Sequence, residues 1–293
     1  MLGDLLRAEF ARLVYRRRAT YSLVLMLALG LLLPTQWMSA FAPLSTEDYA
    51  SAAENYQWCV EWSGDEPCLY ADYLRTPGSF TDMISQIGSG VLFLALVVFM
   101  VVVTYVGSDF SSGALGTQLT FTPRRWAVLV ARTTAAGALG AVLMAVGLVS
   151  STVESVVWFM AMNGFDSATP AAGLLAVVGS SILYGIFIGM IGALLVFLLN
   201  GTVLAAAAGL IAVTISLWGD VYGSWEAAST TLNLWYYLGP VWQGFTLVDP
   251  SLMTNMMGLG VAHRWVGVVY HLSVIALLAV LTVPLFERRD VKG

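Results

Sequence analysis

Most apolar residues in this chain fall into long runs separated by polar stretches, and the first eighteen positions follow a different pattern. There Leu2, Leu5, Leu6, Phe10, Leu13 and Val14 recur at helical spacing, while Asp4, Arg7, Glu9, Arg12 and Arg16 take the other face. The pattern predicts an amphipathic helix over 1–18 lying in a membrane interface. Arg16, Arg17 and Arg18 would then face anionic headgroups just before the first long run.

That run, Thr20 to Phe41, predicts a membrane span kinked at Pro34. Ala40-Phe41-Ala42 resembles a signal-peptidase site, but the charged leader before the run is long for a signal peptide, so an uncleaved span is expected. Residues 43–82 are polar and acidic, with Arg75 the sole basic residue, and predict an outer loop. Met83–Val106 predicts the second span and 107–126 a polar connection. The apolar stretch from Ala127 to Met162 exceeds one simple crossing; we expect a third span ending near Val149, with Ser150–Gly164 as an outer extension or surface helix. Ala172–Leu199 is the fourth span, Asn200-Gly201 a tight turn, Thr202–Trp218 the fifth span and Trp265–Leu285 the sixth. Residues 219–264 mix Gly, Trp and short apolar runs in an outer, partly re-entrant segment.

Composition agrees. The 293 residues are 58% hydrophobic and only 11% charged, against about 25% charged in soluble domains, so lipid is the solvent for most of the chain. Each crossing needs roughly 20 apolar residues; six crossings with their connections fill the length, leaving one all-α membrane domain over 1–293. Arginine gives the orientation. The N-terminal segment, the 107–126 connection with nearby Arg132, and the C-terminal tail hold every basic residue except Arg75 and Arg264. The positive-inside rule puts these on the cytoplasmic side, which requires an even number of spans and both termini inside. The single lysine, Lys292, cannot serve a phosphate-binding P-loop, which needs lysine in a strand-to-helix turn. ATP hydrolysis by this chain alone is thereby excluded.

Candidate chemistry is sparse. Nine of the ten tryptophans lie in or beside the outer segments, with Trp126 the exception. They read as an interfacial aromatic belt or, for Trp225, Trp235, Tyr236, Tyr237 and Trp242, as the lining of an exit path for amphiphilic cargo. Cys59 and Cys68 share the outer loop, where thiols oxidise, so a disulfide is expected over two free thiols. A metal site lacks ligands, His263 and His271 being the only histidines. Glu154 and His271 are ionisable groups in or near spans and so candidates for the translocation path; solvation for Glu154 and a bond to a neighbouring helix for His271 are the plain structural readings. No G-x-S-x-G, no H-E-x-x-H and no paired intramembrane carboxylates occur, which removes the hydrolase classes. Gly185 and Gly189 with Gly192, and Gly137, Gly140 and Gly147, place small residues where helices approach closely.

One segment goes further. Ser108 to Arg132, SDFSSGALGTQLTFTPRRWAVLVAR, lies between two spans on the arginine-rich side. It resembles the cytoplasmic connection of ABC-2 type permeases, in which an acidic residue, a Gly-Thr pair, leucines, Pro and Arg recur in that order. Asp109, Gly113, Leu115, Leu119, Pro123 and Arg124-Arg125 match; Ala114 stands where the family has Thr, and Asp where Glu is commoner. The interfacial N-terminal helix, six spans and an irregular segment before the last one fit the same family. The two-cysteine outer loop is less typical of it.

The resemblance implies a permease dimer, most simply of two identical chains, in a bacterial cell membrane. Two cytoplasmic ATPase chains would bring ATP and Mg, and this chain would need no cofactor and no nucleic acid. The 107–126 segment would be the coupling helix in a groove of the ATPase, with Asp109, Arg124 and Arg125 as polar contacts and Phe110, Leu115 and Leu119 as its packing face. Headgroup anchoring is the compatible plain reading of Arg124 and Arg125. Cargo would pass between the permease halves near the second and fifth spans. From a different class, a membrane sensor or scaffold using the acidic outer loop as a binding cap is the alternative.

Overall fold

A backbone surrounded by lipid must satisfy its polar groups internally, so each apolar run folds as a helix. The computed structural model describes residues 2–62, 67–121, 124–168, 172–223, 239–251 and 263–288. Among them, helices and short 3-10 turns make up the regular structure, with no strand. Five helices are long and apolar enough to cross a bilayer, and the protein is an all-helical multi-pass membrane protein.

The chain opens with α1 (Leu2–Tyr15) and α2 (Arg17–Leu32). Pro34 has no N–H to continue the helical ladder. The expected kinked span, Thr20–Phe41, is therefore an α-helix that stops at Leu32 and gives way to 3-10 turns at Pro34–Gln36 and Met38–Phe41.

The acidic segment is more ordered than an outer loop. Ser45 and Asp48 cap α3 (Thr46–Trp62) reciprocally: Asp48 N donates to Ser45 Oγ at 3.2 Å, and Ser45 N donates to Asp48 Oδ2 at 2.7 Å. Arg75, the lone cation, clamps this cap to the end of the first span. Its Nε lies 3.1 Å from Asp48 Oδ1, and its Nη1 and Nη2 donate to the carbonyls of Ala40 and Ala42 at 3.0 and 3.1 Å. A Cys59–Cys68 disulfide, Cα to Cα 6.2 Å, closes the far end, as the cysteine positions led us to expect. A short turn of helix, α4 (Tyr70–Tyr73), follows.

Ser79 and Asp82 form a second capping box and start α5 (Phe80–Ser111), whose 32 residues extend about 48 Å, beyond the expected Met83–Val106 at both ends. After α6 (Ala114–Phe121) comes α7 (Arg125–Asn163), a single helix of 39 residues. Of the two readings of Ser150–Gly164, an extension or a separate surface helix, the structure has the extension: the stretch contains no Pro or Gly before Gly164 and continues α7 without interruption. Gly164, at φ 87°, ends the helix. After a 3-10 turn at Phe165–Ser167, α8 (Ala172–Leu199) crosses back, and Asn200 at φ 54° turns the chain into α9 (Thr202–Gly223). Within the described side chains the apolar part of α9 is Thr202–Ser216, shorter than a crossing. The nine-residue α10 (Pro240–Val248) and the long α11 (Arg264–Arg288) complete the described chain.

The core lies where α8 packs against α5, α7 and α11, with Val91, Val98, Val102, Leu143, Met144 and Phe197 fully enclosed. The α7–α8 seam needs glycine. A Cβ on Gly140 would overlap the Gly185 carbonyl, and one on Gly185 would lie 2.6 Å from Met144 Cβ. The small residues singled out in the sequence thus bring two spans into backbone contact. α10 is wedged among α5, α8, α9 and α11 with Val241, Trp242, Gln243, Gly244, Thr246, Leu247 and Val248 all buried.

Candidate functional site

The arginine-rich segments gather at one end of the bundle. α5 ends just past Asp109, and Gly113 reverses the chain at φ 70°, a left-handed conformation that glycine adopts without strain. α6 then turns Leu115, 1% exposed, into the core, while Leu119 packs against it and Phe110 meets Phe197 edge-on at 5.2 Å. The packing face assigned to an ATPase from the sequence is therefore occupied within the chain. What α6 and its junction present outward is Thr117, Thr120, Phe121 (83% exposed), Arg124 and Trp126. Arg125 is half-buried and donates from Nη1 to the Phe286 carbonyl at 3.1 Å, holding the end of α11 against the start of α7. Pro123 lies outside the described residues.

Asp109, expected as a contact to a partner, is buried at the centre of an ionic cluster. Arg16 Nη2 approaches its Oδ1 at 2.6 Å; Arg132 Nη1 and Arg12 Nη2 approach Oδ2 at 2.7 and 3.4 Å. Glu9, also buried, lies 3.1 Å from Arg12 and 3.6 Å from Arg132 Nε. Gln118 joins α6 to both signs: its amide nitrogen donates to Glu9 at 3.0 Å and its oxygen accepts from Arg132 at 2.5 Å. Three guanidiniums against two carboxylates leave a single positive charge, and the Arg16 guanidinium sits 4.8 Å over the Tyr105 ring. Burying charge is costly unless every partner is present; this set ties α1, α5, α6 and α7 into one unit.

The cluster also refines the reading of α1. Glu9 and Arg12, with Arg16 just after the helix, face the protein beside the buried Leu13, whereas Asp4, Arg7, Phe10, Val14 and Tyr15 are exposed. Charges at a lipid boundary need protein partners, which this part of the polar face finds. Two signals for the cluster were available in the sequence: the three-and-four spacing of Glu9, Arg12 and Arg16, and Arg132 a full turn or more inside an apolar run.

The other expected site residues lie apart from this end. Trp242 is 2% exposed and donates from Nε1 to the Ser216 carbonyl at 3.0 Å, so its ring is packing for α9 and α10. His271 is 1% exposed, stacks on Phe187 at 5.7 Å and bonds through Nδ1 to the Gly267 carbonyl of its own helix at 2.7 Å, rather than to a neighbouring one. Its Nε2 meets no partner among the described residues. Glu154 is half-buried on the C-terminal part of α7, with Oε2 likewise unpartnered among the described residues. Trp225, Trp235, Tyr236 and Tyr237 lie outside the described residues. No protein-family model, characterised protein or solved structure matches the chain.

Proposed function

We propose that this chain is the membrane-spanning permease subunit of an ABC exporter, moving an amphiphilic substrate with energy from a separate ATPase chain. The observation that carries the reading is α6: a short helix at the arginine-rich end, fastened inward by Leu115 and Gln118 and exposing Thr117, Thr120, Phe121 and Arg124. An exposed aromatic beside a cation on a rigidly seated helix suits a protein partner that pushes on it. The Asp109 cluster would pass that push to α1, α5 and α7 together, as a two-state transporter requires.

In this reading α9 is the fifth of six spans, α11 is the sixth, and both termini are cytoplasmic. α10, too short to cross at nine residues, belongs to a re-entrant segment at the outer side. A second copy of the chain completes the path, in a bacterial cell membrane. The resemblance of Ser108–Arg132 to ABC-2 permeases supports it, with contacts reassigned from Asp109, Phe110, Leu115 and Leu119 to the outward face of α6. The test is Phe121→Ala with Arg124→Glu in a reconstituted complex. Cargo-stimulated ATP hydrolysis should fall at least tenfold with insertion and thermal stability unchanged; full activity in that variant refutes the docking face.

The sensor alternative draws on one observation, the outer cap. α3 is stapled at both ends and carries Trp58 and Trp62 exposed and stacked at 6.1 Å, which suits an apolar ligand. Retained export after deletion of residues 46–73 would separate the cap from transport.

A further inference from the structure

α2 leans on α7, where Gly30 approaches Gly147 and Ser150 so closely that a Cβ would overlap the Ser150 hydroxyl and the Gly147 carbonyl. At its start it is tied to the end of α5 by the Arg16–Asp109 pair. Between these points the α2–α5 seam stays open and holds two depressions. One, of about 380 Å³, is lined by Arg16, Arg17, Arg18, Ser108, Asp109 and Ser112. The other, of about 340 Å³, is lined by Leu25, Leu96, Val97, Met100, Val101 and Thr104.

Helical spacing joins them. Val97, Val101, Thr104 and Ser108 follow one another by three or four residues along one face of α5, with Ser112 just past its end; Arg18, Ser22 and Leu25 do the same on α2. The seam therefore runs from a cationic mouth to an apolar groove, with Val101 and Ser108 about 10 Å apart along the helix. Asp109 in the mouth is already answered by Arg12, Arg16 and Arg132, while Arg17 and Arg18 are exposed. The mouth carries surplus positive charge and the Ser112 hydroxyl, that of Ser108 donating to the Tyr105 carbonyl at 2.8 Å, beside an apolar slot of acyl-chain character.

We propose that the α2–α5 seam is a specific site for an anionic phospholipid, its phosphate held by Arg17 and Arg18 with Ser112, and one acyl chain laid along Val97, Val101 and Leu25. A phosphate alone would use only the mouth, and a zwitterionic lipid would gain little from the arginines. The site is independent of the transport reading, because it rests on charge and shape at the seam.

The test is thermal unfolding of the full chain in dodecylmaltoside, titrated with phosphatidylglycerol, phosphatidylcholine or inorganic phosphate, with native mass spectrometry counting bound lipid. Phosphatidylglycerol should raise Tm saturably at about one lipid per chain, and the other two should not. Arg17→Gln/Arg18→Gln should weaken that response by about thirtyfold, each arginine contributing a factor of about five. Val101→Trp, which fills the groove, should abolish it while leaving Tm in lipid-free micelles unchanged. Equal responses to the two lipids, a response to inorganic phosphate alone, or unaltered affinity in either variant overturns the proposal.

Discussion

Replacing Asp109 by Asn removes the anion that faces three guanidiniums while keeping the side chain's shape. Arg16 and Arg132 lose contacts of 2.6 and 2.7 Å, Arg12 loses one of 3.4 Å, and Glu9 remains as the only carboxylate. The cluster then carries two uncompensated positive charges, and Arg132 cannot reach water because its side chain is 3% exposed. Breaking a buried pair in this way costs about 3–5 kcal/mol. At roughly 2–4 °C per kcal/mol for a chain this large, Asp109→Asn should unfold about 10 °C lower in detergent.

The assay is loss of the monodisperse size-exclusion peak after heating, run on the wild-type chain, Asp109→Asn, Arg132→Met and the double variant. Removing both partners restores the net charge of the cluster, so the double variant should be more stable than the sum of the single losses, by about 1–3 kcal/mol. An Asp109→Asn protein melting within 2 °C of wild type would refute the cluster as the fastening of α1 to the bundle. Strict additivity would refute the Asp109–Arg132 pairing.

Three further outcomes are expected. Cys59→Ser with Cys68→Ser should loosen the α3–α4 cap by roughly 2–3 kcal/mol, the loop-closure value for a bridge of this span, so limited proteolysis should cut within 46–73 while the bundle's melting is unchanged; uncut cap in the variant would contradict this. The guanidinium of Arg75 and the Ser45 cap hold the Asp48 carboxyl well below the usual carboxylate range. A depressed folded-state value gives stability that is fully present above about pH 4, where the unfolded carboxyl is ionised, and is lost as pH falls toward the folded value. Hydrogen exchange in α3 should therefore be constant from pH 8 to 5 after correction for intrinsic rates and quicken below 4, whereas Arg75→Gln should exchange quickly already at pH 7; equal protection at pH 3 and 7 would refute the clamp. Gly140→Val should force α7 from α8 against the Gly185 carbonyl, lowering stability by about 1–3 kcal/mol, and a melting temperature equal to wild type would show the seam to be loose.

The spans were legible where composition alone decides. α5, α8 and α11 are unbroken apolar runs with polar ends, and lipid permits such runs one solution. Bilayer thickness sets the expected end of the third crossing near Val149, but a helix stops only where its backbone or capping changes, here at Gly164, so Ser150–Asn163 is a helical extension of α7. α3 lacks an apolar stripe, and its start was written instead in Ser45 and Asp48, a cap that becomes decisive once Arg75 folds back on it.

The site was legible in its parts and not in its partners. Asp109 and Arg132 stood out as charges next to spans, and Glu9, Arg12 and Arg16 as the polar face of an amphipathic helix. Their meeting depends on α1 folding back against α7, which brings its arginines to Asp109 at the end of α5; local periodicity does not encode that. The sequence pattern placed Leu115 and Leu119 correctly on one face of α6, but which side of that helix meets protein is decided by α5 and α7.

The central claim is that the outward face of α6 receives a soluble ATPase. A photo-crosslinking amino acid at Thr120, compared with one at the buried Leu115, tests it directly in cells expressing the chain at native level. The account predicts a single strong adduct at Thr120 to a soluble chain that carries a P-loop, in stoichiometric yield on purification, and none at Leu115. Absence of any ATPase adduct at Thr120, in a protein that is correctly inserted and folded, would contradict it.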